Sequence, residues 1–139
     1  MAQKVRDVMT ANPTTLQEEA TVADAAKRMR DDDIGDVLVV REGGLTSIVT
    51  DRDIAVRVVA EDRPPEETAL RDIASKDLTT VSPDDSIDDA IRIMRDRALR
   101  RIPVVEGSRP VGIVAIGDLA VERDTDSTLA DISGAEPNQ

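Results

Sequence analysis

Thr50 and Asp53 stand three residues apart, where an aliphatic strand-like stretch, Ser47-Ile48-Val49, gives way to a helical one, Asp51-Arg52-Asp53-Ile54. A strand running straight into a helix turns the first free N–H groups and the positive end of the helix dipole outward, a setting suited to phosphate. A threonine hydroxyl there can add one more bond to the anion. A carboxylate one turn in is a two-oxygen acceptor matched to a cis-diol. The same pair also reads as a helix cap, because Thr-x-x-Asp is a capping box in all but the length of its acid. The pattern returns as Gly112-Ile113-Val114-Ala115-Ile116-Gly117-Asp118, where the capping hydroxyl is lost and the acid remains.

That return belongs to a larger one. Shifted by 118 − 53 = 65 residues, 5–58 matches 70–123 without a gap, and 16 positions are identical. Other pairs exchange one aliphatic for another, as in Val22/Ile87 and Ile54/Leu119. A unit of about 55 residues is marginal alone, whereas two such units can share one core. Each half reads as a short helical turn (5–9 or 70–74), a β-branched stretch (14–16 or 79–81), and a helix. Two strands joined by a turn follow (36–40 and 47–49; 102–105 and 111–114), and then a last helix from near Thr50 or Ala115. The first long helix takes Thr21 as cap and Val22, Ala25, Ala26 and Met29 as its apolar stripe. Ser86 with Ile87, Ala90, Ile91 and Met94 repeats it. The expected order is β-α-β-β-α twice, the first two strands parallel and the third antiparallel beside the second. The expected boundaries are one repeat over 5–61, a linker over 62–69, a second repeat over 70–124 and a loosely held tail over 125–139, with a short docking turn at 129–132.

Composition narrows the chemistry. The charge is 18 − 29 = −11, the wrong sign for a nucleic-acid binder or an anionic membrane surface. No apolar run approaches the ~20 residues of a transmembrane helix, and no signal-peptide pattern opens the chain, so the expected location is cytoplasmic. With no His and no Cys, the commonest general base, the thiolate nucleophile and the usual transition-metal ligands are missing. No Ser- or Lys-centred catalytic pattern replaces them, so the expectation is a non-enzyme that requires no cofactor. The runs Asp31–Asp33 and Asp84-Asp85 lack ligand spacing and read as solvated charge, not a metal site. With no Phe, Trp or Tyr, the core must be wholly aliphatic.

A gapless tandem β-α-β-β-α repeat whose last helix opens on G-h-h-T-x-x-D (h apolar) resembles a pair of cystathionine β-synthase (CBS) domains, a Bateman module. The resemblance covers about 5–124 and is to the stand-alone bacterial form. It implies an α/β fold of two pseudo-symmetric repeats packed through their sheets into one compact module. It further implies adenosine ligands in clefts between the halves and pairing into disk-shaped homodimers. Carried over, Thr50 bonds a phosphate and Asp53 the ribose, with Arg52 beside them. Thr15, Leu16, Val37 and Leu38 would flank one base, and Thr80, Val81, Ile102 and Pro103 the other, with Asp118 as the second acid. Two departures stand out: Ala115 cannot bond a phosphate, and Ser47 replaces the motif's first Gly. The base-flanking positions also read as ordinary sheet core.

One basic concentration breaks the acidic background: Arg92, Arg95, Arg97, Arg100 and Arg101 against Asp96 alone. Guanidinium forks match phosphates, with Arg101 nearest a base-flanking strand, but a solvated helix face or a subunit contact fits the same residues. The last helix, with Ile54, Ala55, Val56, Val58 and Val59 against a lone Arg57, is more apolar than one internal contact needs and points to a homodimer. The expected function is a regulatory sensor of an adenosine-containing ligand that signals to a protein partner. The competing expectation is a ligand-independent homodimeric scaffold.

Overall fold

The computed structural model describes residues 4–75 and 78–123, with side chains through 120; the expected tail 125–139 and its docking turn lie outside them. In chain order the elements are β1 (Thr10–Ala11), β2 (Thr15–Gln17), α1 (Val22–Asp32), β3 (Asp36–Arg41), β4 (Gly44–Thr50) and α2 (Asp51–Ile54). They continue with α3 (Leu70–Ile73), α4 (Ile87–Arg97), β5 (Arg101–Glu106), β6 (Arg109–Ala115) and α5 (Ile116–Arg123). A π-helical turn, Ala55–Val59, prolongs α2, and single 3₁₀ turns lie at Val5–Asp7 and Pro65–Glu67.

The sequence pattern explains the long helices. Thr21 caps α1 through a reciprocal box with Asp24, and Val22, Ala25 and Met29 are buried on one face. Ala26, expected on that stripe, is exposed, because the buried face is narrower than the run of alanines. Ser86 Oγ caps α4 by accepting from Asp89 N–H (3.0 Å), and Ile87, Ala90 and Met94 form its buried face. Each helix stops at a left-handed residue, Asp33 or Ala98. The first sheet has the order β2-β3-β4, with β2 parallel to β3 (Thr15 opposite Leu38) and β3 antiparallel to β4 (Asp36 opposite Thr50). The hairpin strands are longer than the pattern indicated. They run to a two-residue turn, Glu42-Gly43, whose positive φ values of 54° and 80° match strand twist.

The second sheet departs from expectation in two ways. The β-branched stretch Thr79–Val81 forms no strand, only a parallel bridge from Val81 to Val104. In the first sheet, Leu38 N–H donates to Thr14 O (2.9 Å) and Glu18 N–H to Val40 O (3.1 Å). The residues at those two places in the second repeat are Pro103 and Pro83, which have no N–H to give. The two inner bonds survive, Val81 N–H to Pro103 O (3.1 Å) and Val105 N–H to Val81 O (2.9 Å). In addition β1, absent from the sequence reading, pairs antiparallel with β6, Ala11 opposite Gly112. A Cβ on Gly112 would lie 2.6 Å from Met9 Sδ and 2.9 Å from Thr10 O, so the close approach of β1 requires the glycine.

The chain divides into two compact units that trade segments. Among the described residues, one comprises 13–75, 78 and 108–110; the other comprises 4–12, 79–107 and 111–123. The opening turn of each repeat thus lies in the unit built on the other repeat's strands, fastened by matching bonds. Leu70 N–H donates to Ala20 O (2.8 Å) and Arg71 N–H to Glu18 O (3.1 Å). Val5 N–H donates to Asp85 O (2.9 Å) and Arg6 N–H to Pro83 O (3.0 Å). Leu70 and Ile73 then join Val22, Ala25, Met29, Val37, Val39, Val49 and Val58 in one aliphatic cluster. Val5 joins Val81, Ile87, Ala90, Met94, Ile102, Val104, Val114 and Leu119 in the other. The segment between the repeats is held as well: Thr68 is buried, with its hydroxyl on Pro64 O (2.8 Å) and its carbonyl accepting from Val22 N–H (2.9 Å).

Two predictions follow from this packing. Ile73→Ala should cost about 2–5 kcal/mol, as a buried aliphatic truncation does, although Ile73 belongs to the second repeat in sequence. Its effect on native-state amide exchange should fall chiefly on β3 and β4; a larger effect on β5 and β6 would contradict the segment exchange. Gly112→Ala should destabilise by about 1–3 kcal/mol in urea titration, since either Met9 or the β1 backbone must move. An unchanged midpoint would show that β1 does not press on Gly112.

Candidate functional site

At the first junction β4 runs into α2 without a loop. Asp51 N–H, the first of the helix, donates to Gly35 O (2.9 Å), which pins the helix start to the entrance of β3. Thr50 and Asp53 then close a reciprocal box: Asp53 N–H donates to Thr50 Oγ1 (3.1 Å), and Thr50 N–H to Asp53 Oδ2 (2.9 Å). The capping reading is therefore realised in this geometry, as it is at Thr21 and Asp24 on α1. Capping does not exhaust either side chain. The Thr50 hydroxyl uses a lone pair as acceptor and retains its proton as donor, and Asp53 keeps Oδ1. That oxygen lies 4.0 Å from Arg57 Nε, one helical turn on, and the Asp53 side chain is 21% exposed.

The other residues of the first set lie in the same compact unit. Thr15 and Leu16 are half-buried on β2, with Thr15 opposite Leu38; Arg52 is exposed on α2. Val37 is fully buried within the aliphatic cluster, so a ligand could meet it only through its backbone. Leu38, on the opposite face of β3, is also fully buried.

The second junction keeps the backbone and loses the box. Ile116 N–H donates to Arg100 O (2.8 Å), the counterpart of the bond from Asp51 to Gly35. With Ala115 in the capping position, Asp118 is exposed where Asp53 is half-buried. Thr80, Val81, Arg101, Ile102, Pro103 and Asp118 share the other unit. Val81 and Ile102 are core residues there, Pro103 is buried, Thr80 is half-buried and Arg101 is exposed at the start of β5.

The charged runs sort by partner. Arg92 is paired with Asp89 (2.7 Å), so it serves its own helix, and Arg95, Arg97 and Arg100 are exposed. Asp31 pairs with Arg30 (2.8 Å) and Asp32 with Arg28 (3.2 Å). The hydrogen bond from Arg30 holds the Asp31 carboxyl below the usual range. Arg6 holds Asp84 low in the same way. Among the described residues, no group of three Asp or Glu is placed to hold a metal ion.

Arg57 was named in the sequence reading only as the lone polar residue of an apolar helix, and its place beside Asp53 was missed, although the spacing of four was a usable signal. Its Nη1 donates to Ile73 O (2.9 Å), at the end of α3. Beside it opens a cleft of ≈ 570 Å³ lined by Val56, Arg57, Glu61, Arg63, Asp72 and Ile73. Nothing in the sequence pattern announced this cleft, because its walls come from a helix end and from the segment borrowed from the next repeat.

Known proteins place the chain. The CBS domain family profile matches twice, over 5–60 and 70–123. The CBS domain-containing protein YhcV of Bacillus subtilis is 38% identical over 119 residues, covering 86% of this chain and 84% of its own. Hypoxic response protein 1 of Mycobacterium tuberculosis is 33% identical over 116 residues, covering 83% and 81%. A crystal structure of Hypoxic Response Protein I with two coordinated zinc ions matches at TM-score 0.77 and 32% identity, covering 84% of this chain and 96% of that one. The hexameric CBS-CP12 protein of bloom-forming cyanobacteria matches at TM-score 0.73 and 29% identity, covering 86% and 69%. Both repeats carry the strand-to-helix junction described above, and both are matched in full: the chain belongs to the CBS domain family, as a tandem pair.

Proposed function

We propose that the chain is a non-catalytic cytoplasmic sensor that binds an adenosine-containing ligand, of the AMP, ADP, ATP, NAD or S-adenosylmethionine class, and passes its state to a protein partner. The observation that carries this reading is the first junction. A hydroxyl with a proton still to donate and a carboxylate with an oxygen still to accept stand together at a helix start, beside the paired Thr15 and Leu38. Thr50 would meet the phosphate and Asp53 the ribose hydroxyls, with Arg52 at the rim. The base would lie beside Thr15 and Leu38, which share one face of the sheet, and read backbone polar groups at Leu16 and Val37, since the chain has no aromatic ring to stack on it. At the second junction Asp118 would take the ribose, with Thr80, Val81, Ile102 and Pro103 about the base and Arg101 toward the phosphate. Pro103 has no N–H for the Thr79 carbonyl, which leaves that acceptor to the base. Binding would favour one arrangement of the module over another, as a shift of population.

A second reading, a scaffold without ligand, has its own support. The Thr50–Asp53 box is closed on itself, and Val56 and Val59 are 48% and 65% exposed. That apolar surface also favours a homodimer, which both readings accommodate.

Calorimetry with AMP, ATP and S-adenosylmethionine separates the readings. Asp53→Ala should weaken binding by about 1.5–3 kcal/mol, beyond the capping loss that a thermal melt of the ligand-free variant reports. No heat and no thermal shift with any adenosine compound at millimolar concentration would leave the scaffold. The Thr50 site should bind more tightly than the Ala115 site; equal damage from Asp53→Ala and Asp118→Ala would contradict that. Light scattering at micromolar concentration should give a dimer, and a mass near one 15.0 kDa chain would exclude it.

A further inference from the structure

Arg57 touches two things of different kinds. Toward α2 its Nε lies 4.0 Å from Asp53 Oδ1, the oxygen the capping box leaves over. Toward α3 its Nη1 donates to the Ile73 carbonyl at 2.9 Å. Helix α3 is the borrowed segment: its Leu70 and Arg71 N–H groups hold Ala20 and Glu18 carbonyls, and its Ile73 side chain is 2% exposed in the core. Arg57 itself sits in the π-helical turn Ala55–Val59, closed by Ala60 N–H on Ala55 O at 2.9 Å. Such turns interrupt a helix at a cost and recur at functional sites. The open cleft of ≈ 570 Å³ on its flank gives the guanidinium room to move. An ion pair at 4.0 Å with Arg57 48% exposed adds little stability, so the stabilising role of Arg57 lies in its bond to the carbonyl that ends α3, and its place beside Asp53 Oδ1 is open to another use.

We propose that Arg57 is a positioning residue that orients Asp53 Oδ1 and couples the occupancy of that carboxylate to α3 through the Ile73 carbonyl. The proposal rests on the ligand reading of Asp53 given above. A diol donating to Asp53 competes with Arg57 for Oδ1. The guanidinium, relieved of that attraction, shifts its weight to the carbonyl and the cleft, and α3 tightens or loosens with it. The two contacts use different nitrogens of one planar fork, Nε and Nη1, an arrangement that the single nitrogen of a lysine does not reproduce. The second repeat has Glu122 at the matching position, so the coupling belongs to one junction only.

The test follows amide exchange over 70–74 in wild type, Asp53→Asn, Arg57→Gln and the double variant. The Ala74 amide, bonded to Leu70 O at 2.9 Å, is the chief reporter. Without ligand, Asp53→Asn should change its exchange by about fivefold in the wild-type background and leave it unchanged in the Arg57→Gln background. Additive effects of the two substitutions overturn the proposal, whether or not a nucleotide binds. With saturating AMP, wild type should show a shifted exchange at 70–74, while Arg57→Gln binds AMP without the shift. Arg57→Lys should also lose the shift, with its AMP affinity changed by the same few-fold factor that the lost shift in exchange reports, because the coupling is reciprocal. Wild type that binds AMP with no change at 70–74 overturns the coupling. Failure of every variant to bind AMP removes the ligand reading instead, and the ligand-free comparison then decides the coupling alone.

Discussion

Neither repeat closes its own core. About 55 residues without one aromatic side chain offer Val, Ile, Leu, Ala and Met to fill the space under a three-stranded sheet, and so small a unit buries too little surface alone. The deficit is met by exchange. Leu70 and Ile73 complete the cluster under β3 and β4, and Val5 completes the one under β5. Backbone bonds at corresponding places hold both segments, so the exchange is a rule of the fold and not an accident of the linker. Buried Thr68 and the Pro64 carbonyl extend the same fastening through the segment between the repeats.

A consequence reaches the functional junction. The start of the last helix is set by a backbone bond, Asp51 to Gly35 in one repeat and Ile116 to Arg100 in the other, and it needs no capping side chain. Position 115 can therefore lose its hydroxyl without losing the helix, and the acid one turn in is free to take different settings. Asp53 is drawn back by Thr50 N–H and half-buried, whereas Asp118 stands exposed. The same scaffold thus holds two junctions of unequal chemistry. Among the described residues, the first adjoins an arginine that also grips the borrowed segment.

Prolines sharpen the inequality. Pro83 and Pro103 delete the two outer bonds of a ladder that the first repeat completes, and the same sheet carries β1 on its other edge, over Gly112. A strand in one repeat is a single bridge in the other, although Thr79-Thr80-Val81 reads as fully β-prone. Local propensity was the same in both copies; the count of available N–H groups was not.

The sequence alone determined the duplication, the α/β class, the caps at Thr21 and Ser86 and the parallel-then-antiparallel order of the first sheet. It also located both junctions, because periodicity, hydroxyl-acid spacing and turn glycines act over a few residues and survive in the chain as read. Tertiary structure decided what depends on distant partners. It buried Val37 and Ile102 in aliphatic cores and left Ala26 outside. It also exchanged the opening turns, made Gly112 obligatory under β1, and set Arg57 between Asp53 and the Ile73 carbonyl. Closing a core and pairing a strand edge are contests among all segments at once, settled by total buried area and by which N–H groups find acceptors, and no single window of residues contains that information.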